Sequence, residues 1–289
     1  MSDLSLVVEA DHRVGEGPLW HPDEDVLYHV DITSGRLFRY DPVTDADEQV
    51  LDLDTPIGGY TIQADGSLLL FLGKGAIAEW DGTELTSIVD EIPRERNSRF
   101  NDVIADPEGR VYAGTMPTDD QLGRLYRIDT DGSYEVVDER GFDIPNGMGF
   151  TRDLEVLYVT ESQERTIYRY DYDRDTGNLT NREPFVELDS DGPLPDGMTV
   201  DAEGHIWSGL WNGHAVLRYD QTGTVVDRLE VPVPKASSVT FGGEDFRDLY
   251  ITTAKGHDAE DDAPAGSVFR TTPGVRGIPE FRSQIGDAA

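Results

Sequence analysis

The chain of 289 residues carries 24 Lys and Arg against 58 Asp and Glu, a formal charge of −34, with 37% hydrophobic residues and no cysteine. That length suits one large domain or two small ones, and the missing thiols exclude disulfides and thiolate metal sites. So negative a chain repels nucleic-acid phosphates and anionic membranes, leaving small molecules and cations as the expected partners.

The acidic residues run along the whole sequence rather than gathering in a tail, which predicts a uniformly acidic folded surface. Lysine occurs only at Lys74, Lys235 and Lys255, so the surface carboxylates repel one another unless counterions screen them. A salt-loaded cytoplasm is the expected setting. The segment from Met1 to Ala10 has neither a basic nor an apolar signal region, and the longest apolar run, Leu68 to Leu72, falls far short of the roughly 20 residues of a membrane helix. The reading is a soluble cytoplasmic protein of open oligomeric state.

Along the chain, the first predicted strand is Leu4 to Ala10. A turn signal followed by a strand with an aromatic or apolar pair then recurs six times, centred on Tyr28, Leu69, Tyr112, Tyr158, Trp207 and Tyr250. The steps between them are close to the roughly 40–50 residues of a four-stranded propeller blade. A second strand follows each marker, as in Arg36-Leu37-Phe38-Arg39-Tyr40-Asp41 and Ala215-Val216-Leu217-Arg218-Tyr219-Asp220, with the period-two alternation of half-buried strands. No helix-period segment interrupts them. The expected fold is all-β, a six-bladed β-propeller over residues 1–289 as one domain, with the strand at about 4–10 completing the last blade and hiding its edge.

The inner strands of a propeller surround its central channel, so equivalent residues at their starts converge on one mouth. Five residues before His21, Gln63, Asp106, Asp201 and Gly243 stand Glu16, Gly58, Asn101, Asp196 and Ser238. In the fourth blade, matching Asn146-Gly147-Met148 to Asp196-Gly197-Met198 selects Asn146. Glutamate, aspartate and two asparagines make a ring of oxygen donors suited to Ca²⁺, Mg²⁺ or Mn²⁺, with Zn²⁺ and Fe²⁺ also open. Taken singly, Pro145-Asn146-Gly147 and Pro195-Asp196-Gly197 read equally well as turns. Their shared register with Glu16 favours the ring. Arg99, two residues before the ring position, could reach the same mouth or form a surface ion pair beside Arg94 and Arg96.

Other motifs carry less. Asp171 to Gly177 resembles the start of an EF-hand loop, but its glycine falls late and Arg182 stands where the bidentate glutamate belongs, so it reads as an acidic hairpin. The histidines His12, His21, His29, His205, His214 and His257 lack metal-ligand spacing. No nucleophile elbow, P-loop or complete dinucleotide fingerprint occurs.

In this order, Gly15-Glu16-Gly17-Pro18-Leu19-Trp20, Ser98-Arg99-Phe100-Asn101-Asp102, Gly114-Thr115-Met116, Pro145-Asn146-Gly147 and Pro195-Asp196-Gly197-Met198 resemble the regucalcin (SMP-30)/gluconolactonase family over nearly the full chain. The resemblance implies a divalent metal held by Glu16, Asn146 and Asp196, with Arg99 and Asn101 contacting a sugar lactone and Asp196 as the base that activates water. Where mammalian members carry a substrate-binding glutamate after Gly-Thr-Met, this chain reads Pro117-Thr118-Asp119-Asp120, and Asp119 falls at the corresponding distance from Asn101. The implied activity is hydrolysis of a xylono-, arabinono- or gluconolactone, with a pentonolactone favoured from the family's microbial members. Which lactone, which metal, and whether Asp196 or a cation-activated water is the effective base stay open. Two rivals stand beside it: a non-enzymatic metal- or protein-binding propeller, and a metal-dependent aryl-ester or phosphotriester hydrolase.

Overall fold

A computed structural model describes residues 4–256 and 264–286; His257 lies outside them. Six four-stranded antiparallel sheets follow one another. In each of the first five, the four strands run in sequence order from the inside outwards, as in blade 1 with Gly15–His21, Val26–Asp31, Arg36–Asp41 and Ala46–Asp52; blades 2 to 5 start with the inner strands Ile57–Ile62, Phe100–Ala105, Pro145–Phe150 and Leu194–Val200. Inner strands contact the inner strands of neighbouring blades, which closes a six-bladed β-propeller around its channel.

In the sixth sheet Ala236–Gly242, Asp248–Thr253 and Val268–Thr271 are joined by Ser5–Val8, which pairs antiparallel with the third of them. Ser5–Val8 and Val268–Thr271, far apart in sequence, therefore share one sheet.

Burial follows strand position. Second strands such as Leu68–Leu72 and Val111–Thr115 are buried throughout, because neighbouring blades cover both faces. Outer strands such as Leu85–Val89 and Val225–Glu230 are largely exposed. Turns after several strands are built on one device. Asp106, Asp201 and Asp220 accept backbone N–H groups two and four residues on, and Gly109, Gly204 and Gly223 take the positive φ that closes the loop. The resemblance to an EF-hand resolves in the same way. Asp173 accepts the N–H groups of Asp175 and Thr176 in a hairpin between Thr166–Asp173 and Asn178–Glu187.

One segment has no counterpart among the predicted elements. After Thr271 the chain crosses one end of the toroid, donating from Gly277 N to Phe246 O at 2.8 Å, from Ser283 N to Ile62 O at 2.9 Å and from Gln284 N to Gly109 O at 2.9 Å. This strap links blades 6, 2 and 3. Among the described residues no helix is long and apolar enough to cross a membrane.

Candidate metal centre

Every inner strand is irregular near its start. Pairing with the second strand slips between Glu16 and Leu19, Ile57 and Gly59, Phe100 and Val103, Asn146 and Met148, Pro195 and Met198, and Ala236 and Ser238. A bulge bends its strand and re-aims side chains, and here six of them lie at one level of the channel. Glu16, Arg99, Asn101, Asn146 and Asp196 line a single cavity of about 270 Å³.

The Asn-Gly and Asp-Gly pairs are not turns. Asn146 and Asp196 sit within the inner strands Pro145–Phe150 and Leu194–Val200, where blades approach closely. A Cβ on Gly147 would meet Met198 N at 2.4 Å, and one on Gly197 would meet Ser238 Oγ at 2.0 Å. Glycine is required there by packing against the next blade. Gly58 is explained alike, since its Cβ would fall 2.0 Å from Phe100 O.

Two sequence expectations miss the cavity. Ser238 lines a different part of the channel: a Cβ on Gly197 would meet its Oγ at 2.0 Å, so it stands opposite Gly197 rather than Asp196, and the register count runs one too far. Its neighbour Ser237 is buried and donates to Gly15 O at 2.6 Å, beside Glu16. Asp119 is exposed and does not line the cavity. The loop carrying it is folded on itself by a Thr118 N to Gln121 O bond of 2.8 Å and tied to Arg94 O through Gln121 Nε2. Arg99, by contrast, points inwards. Arg96 makes the surface ion pair, with Glu91, while Arg99 Nη1 donates to Phe100 O at 2.8 Å and to Asn101 Oδ1 at 2.7 Å.

A relay of hydrogen bonds orients the amides. Asn101 Nδ2 donates to Asn146 Oδ1 at 2.5 Å and to Pro145 O at 2.9 Å; Asn146 Nδ2 donates to Ser162 Oγ at 2.8 Å; Ser162 Oγ donates to Pro195 O at 2.6 Å. Ser162 thus links Asn146 to the residue before Asp196. It also lines the cavity, as does Trp211 at the end of a second strand, and neither belongs to the ring that the sequence register predicts. Trp211 carried a signal, an aromatic at the channel end of a strand, whereas nothing local marks Ser162.

Burial dominates the electrostatics. It pushes the Glu16 carboxyl up to about 8, with Asp102 adding to the rise and the Gly17 N–H and Arg99 opposing it. Asp196 is held well above its ordinary value by burial, then by Glu16 and Asp102, with the Gly197 N–H opposing. Burial lowers Arg99 to about 10 against the pull of Glu16. Two buried carboxylates sharing one cavity with a single guanidinium lack countercharge, and a cation would supply it. Among the described residues no three His, Cys, Asp or Glu side chains form a metal cluster. The donor set here is two carboxylates and an amide.

Residues 14–255 match the family described as "SMP-30/Gluconolactonase/LRE-like region". The chain is 51% identical to pentonolactonase XacC of Haloferax volcanii, with 98% of each chain covered. Among solved structures it is similar to a luciferin-regenerating enzyme, at 28% identity with a TM-score of 0.89 over 99% of this chain and 100% of that one. A calcium-binding protein, regucalcin, from Agrobacterium tumefaciens superposes with a TM-score of 0.88 at 26% identity, covering 96% of both.

Proposed function

The chain belongs to the SMP-30/gluconolactonase family, and on that footing we propose that it opens a sugar aldonolactone to the aldonic acid with the help of one divalent cation held by Glu16, Asn146 and Asp196. It is a lactonase. The observation that carries the reading is the convergence of those three side chains, from blades 1, 4 and 5, with Arg99 and Asn101 on one cavity. A pentonolactone is the favoured substrate, since the relative sharing 51% of its residues is a pentonolactonase.

The donor set fits a hard cation, because carboxylate and amide oxygens are its preferred ligands and the two buried carboxylates share only one guanidinium, that of Arg99. When bound, such an ion supplies Lewis-acid polarisation of the lactone carbonyl and stabilises its developing negative charge. Arg99 and Asn101 orient the hydroxyls or ring oxygen of the sugar. The Asp196 carboxylate accepts a proton from water as the water oxygen bonds to the carbonyl carbon. The bond from that carbon to the ring oxygen then breaks, and the ring oxygen takes the proton to become a hydroxyl. Burial favours this role by raising the proton affinity of Asp196, and a nearby cation opposes it.

One observation favours aryl esters as a second substrate class: much of the cavity wall is apolar, from Val14, Ile32, Ile144, Leu194 and Trp211. A pH-stat assay in molar salt separates the readings. Acid release from xylono- and arabinonolactone that chelator abolishes and divalent metal restores is the expected result. Faster turnover of aryl esters would favour the second class, and no rate above background with any metal would leave only a binding module. The acidic surface and the Haloferax relative support a salt-loaded cytoplasm as the setting.

A further inference from the structure

Farther along the channel lies a second cavity, of about 70 Å³, whose lining shares no residue with the first. The bulge in blade 3 divides two neighbours between them. Asn101 faces the upper cavity and Asp102 the lower. A second carboxylate reaches the lower cavity from outside the blades, because the C-terminal strap places Glu280 there. No lysine, arginine or histidine lines it.

The remaining polar lining is underused. Asp102 Oδ1 accepts the Val103 N–H at 2.9 Å, and Glu280 Oε1 accepts from Thr199 Oγ1 at a long 3.4 Å. Ser238 and Thr240, only 7% and 4% exposed, line the same cavity, and their hydroxyls have no hydrogen-bond partner among the described residues. Both hydroxyl oxygens are open to the cavity and uncommitted to protein partners, and with the two carboxylates they make a set of oxygen donors suited to a hard cation.

We propose that the channel holds a second hard divalent cation, of the calcium type, between the Asp102 and Glu280 carboxylates and the Ser238 and Thr240 hydroxyls. Calcium tolerates irregular shells of six to eight oxygens, completed by water. A volume of about 70 Å³ admits an ion and a water or two, each water taking about 30 Å³ in the liquid. Burial pushes Asp102 up to about 6 and Glu280 up to about 7, the response of carboxyls deprived of countercharge. An ion here would fasten the strap to the inner strand of blade 3, a role separate from lactone hydrolysis.

The test is a calorimetric Ca²⁺ titration of the chelator-stripped full chain, in molar KCl so that the acidic surface does not compete. Two tight sites per chain are expected, falling to one in Glu280→Gln and to one, the other, in Glu16→Gln. A single wild-type site lost only in Glu16→Gln overturns the channel site. A single site lost only in Glu280→Gln keeps it and overturns the upper ligand set instead. Should Glu280→Gln fail to fold, Ser238→Ala with Thr240→Val is expected to weaken one of two sites at least tenfold, and unchanged two-site binding overturns the proposal.

Discussion

Asn101 donates its amide hydrogen to the amide oxygen of Asn146 at 2.5 Å, joining the inner strands of blades 3 and 4 at the level of the cavity. The amide nitrogen of Asn146 is committed in turn to Ser162. Its oxygen is thereby held in one orientation, available as a cation donor.

Ser162→Ala should therefore weaken metal binding without touching a ligand. Losing a group that orients a metal ligand typically costs roughly 10–100-fold in affinity, and a loss in that range is expected in a calorimetric titration. Unaltered affinity would mean that Asn146 is fixed by its strand alone.

Arg99 and Asp119 should separate sharply. Truncating Arg99 to alanine removes a charged donor from the cavity and is expected to lower kcat/KM by about 10–100-fold, the equivalent of roughly 1.5–3 kcal/mol. Asp119→Ala, on an exposed loop away from the cavity, should change it less than about twofold. Steady-state kinetics on a pentonolactone decides, and a large loss in Asp119→Ala would require that loop to close over substrate.

Glu280 gives a pH dependence with a definite sign. Burial raises its carboxyl from 4.5 to about 7 in the folded chain, so between those values the folded state binds a proton that the unfolded state has released. The stability it contributes is full below about pH 4.5 and is lost as pH rises through 7. With divalent cations chelated, urea unfolding across this window should show wild type losing ground to Glu280→Gln as pH increases. The opposite trend would mean that the carboxylate is stabilised as an anion.

The fold was legible because propeller blades repeat locally. Markers such as Tyr112 and Trp207 sit in buried second strands, and turn aspartates such as Asp106 and Asp201 announce the hairpins that separate strands. The ring was legible in four of its positions for the same reason. Ser238 falls one place off because its position is counted from the blade 6 hairpin, which carries the extra turn Glu244–Phe246 and is not equivalent to the hairpins of the other blades. Ser162 and Glu280 were hidden more deeply. One acts through a hydrogen bond across blades, and the other rides on a strap whose path depends on the finished toroid. Chain distance from Asn101 alone points to Asp119, and the hydrogen bonds of its own loop hold it on the exposed side.

The charge of −34 has a consequence for stability. Dialysis from molar to millimolar KCl removes screening between surface carboxylates, and Tm should fall by more than about 5 °C, what roughly 2 kcal/mol is worth in a chain of this size. A Tm that is constant across this range in a scanning calorimeter would contradict adaptation to salt.

The most direct measurement is anomalous diffraction from crystals soaked in Mn²⁺. A peak within about 2.0–2.6 Å of oxygens from Glu16, Asn146 and Asp196 together is the expected result. Manganese that restores lactone hydrolysis in solution yet leaves those three oxygens without a peak would contradict the account.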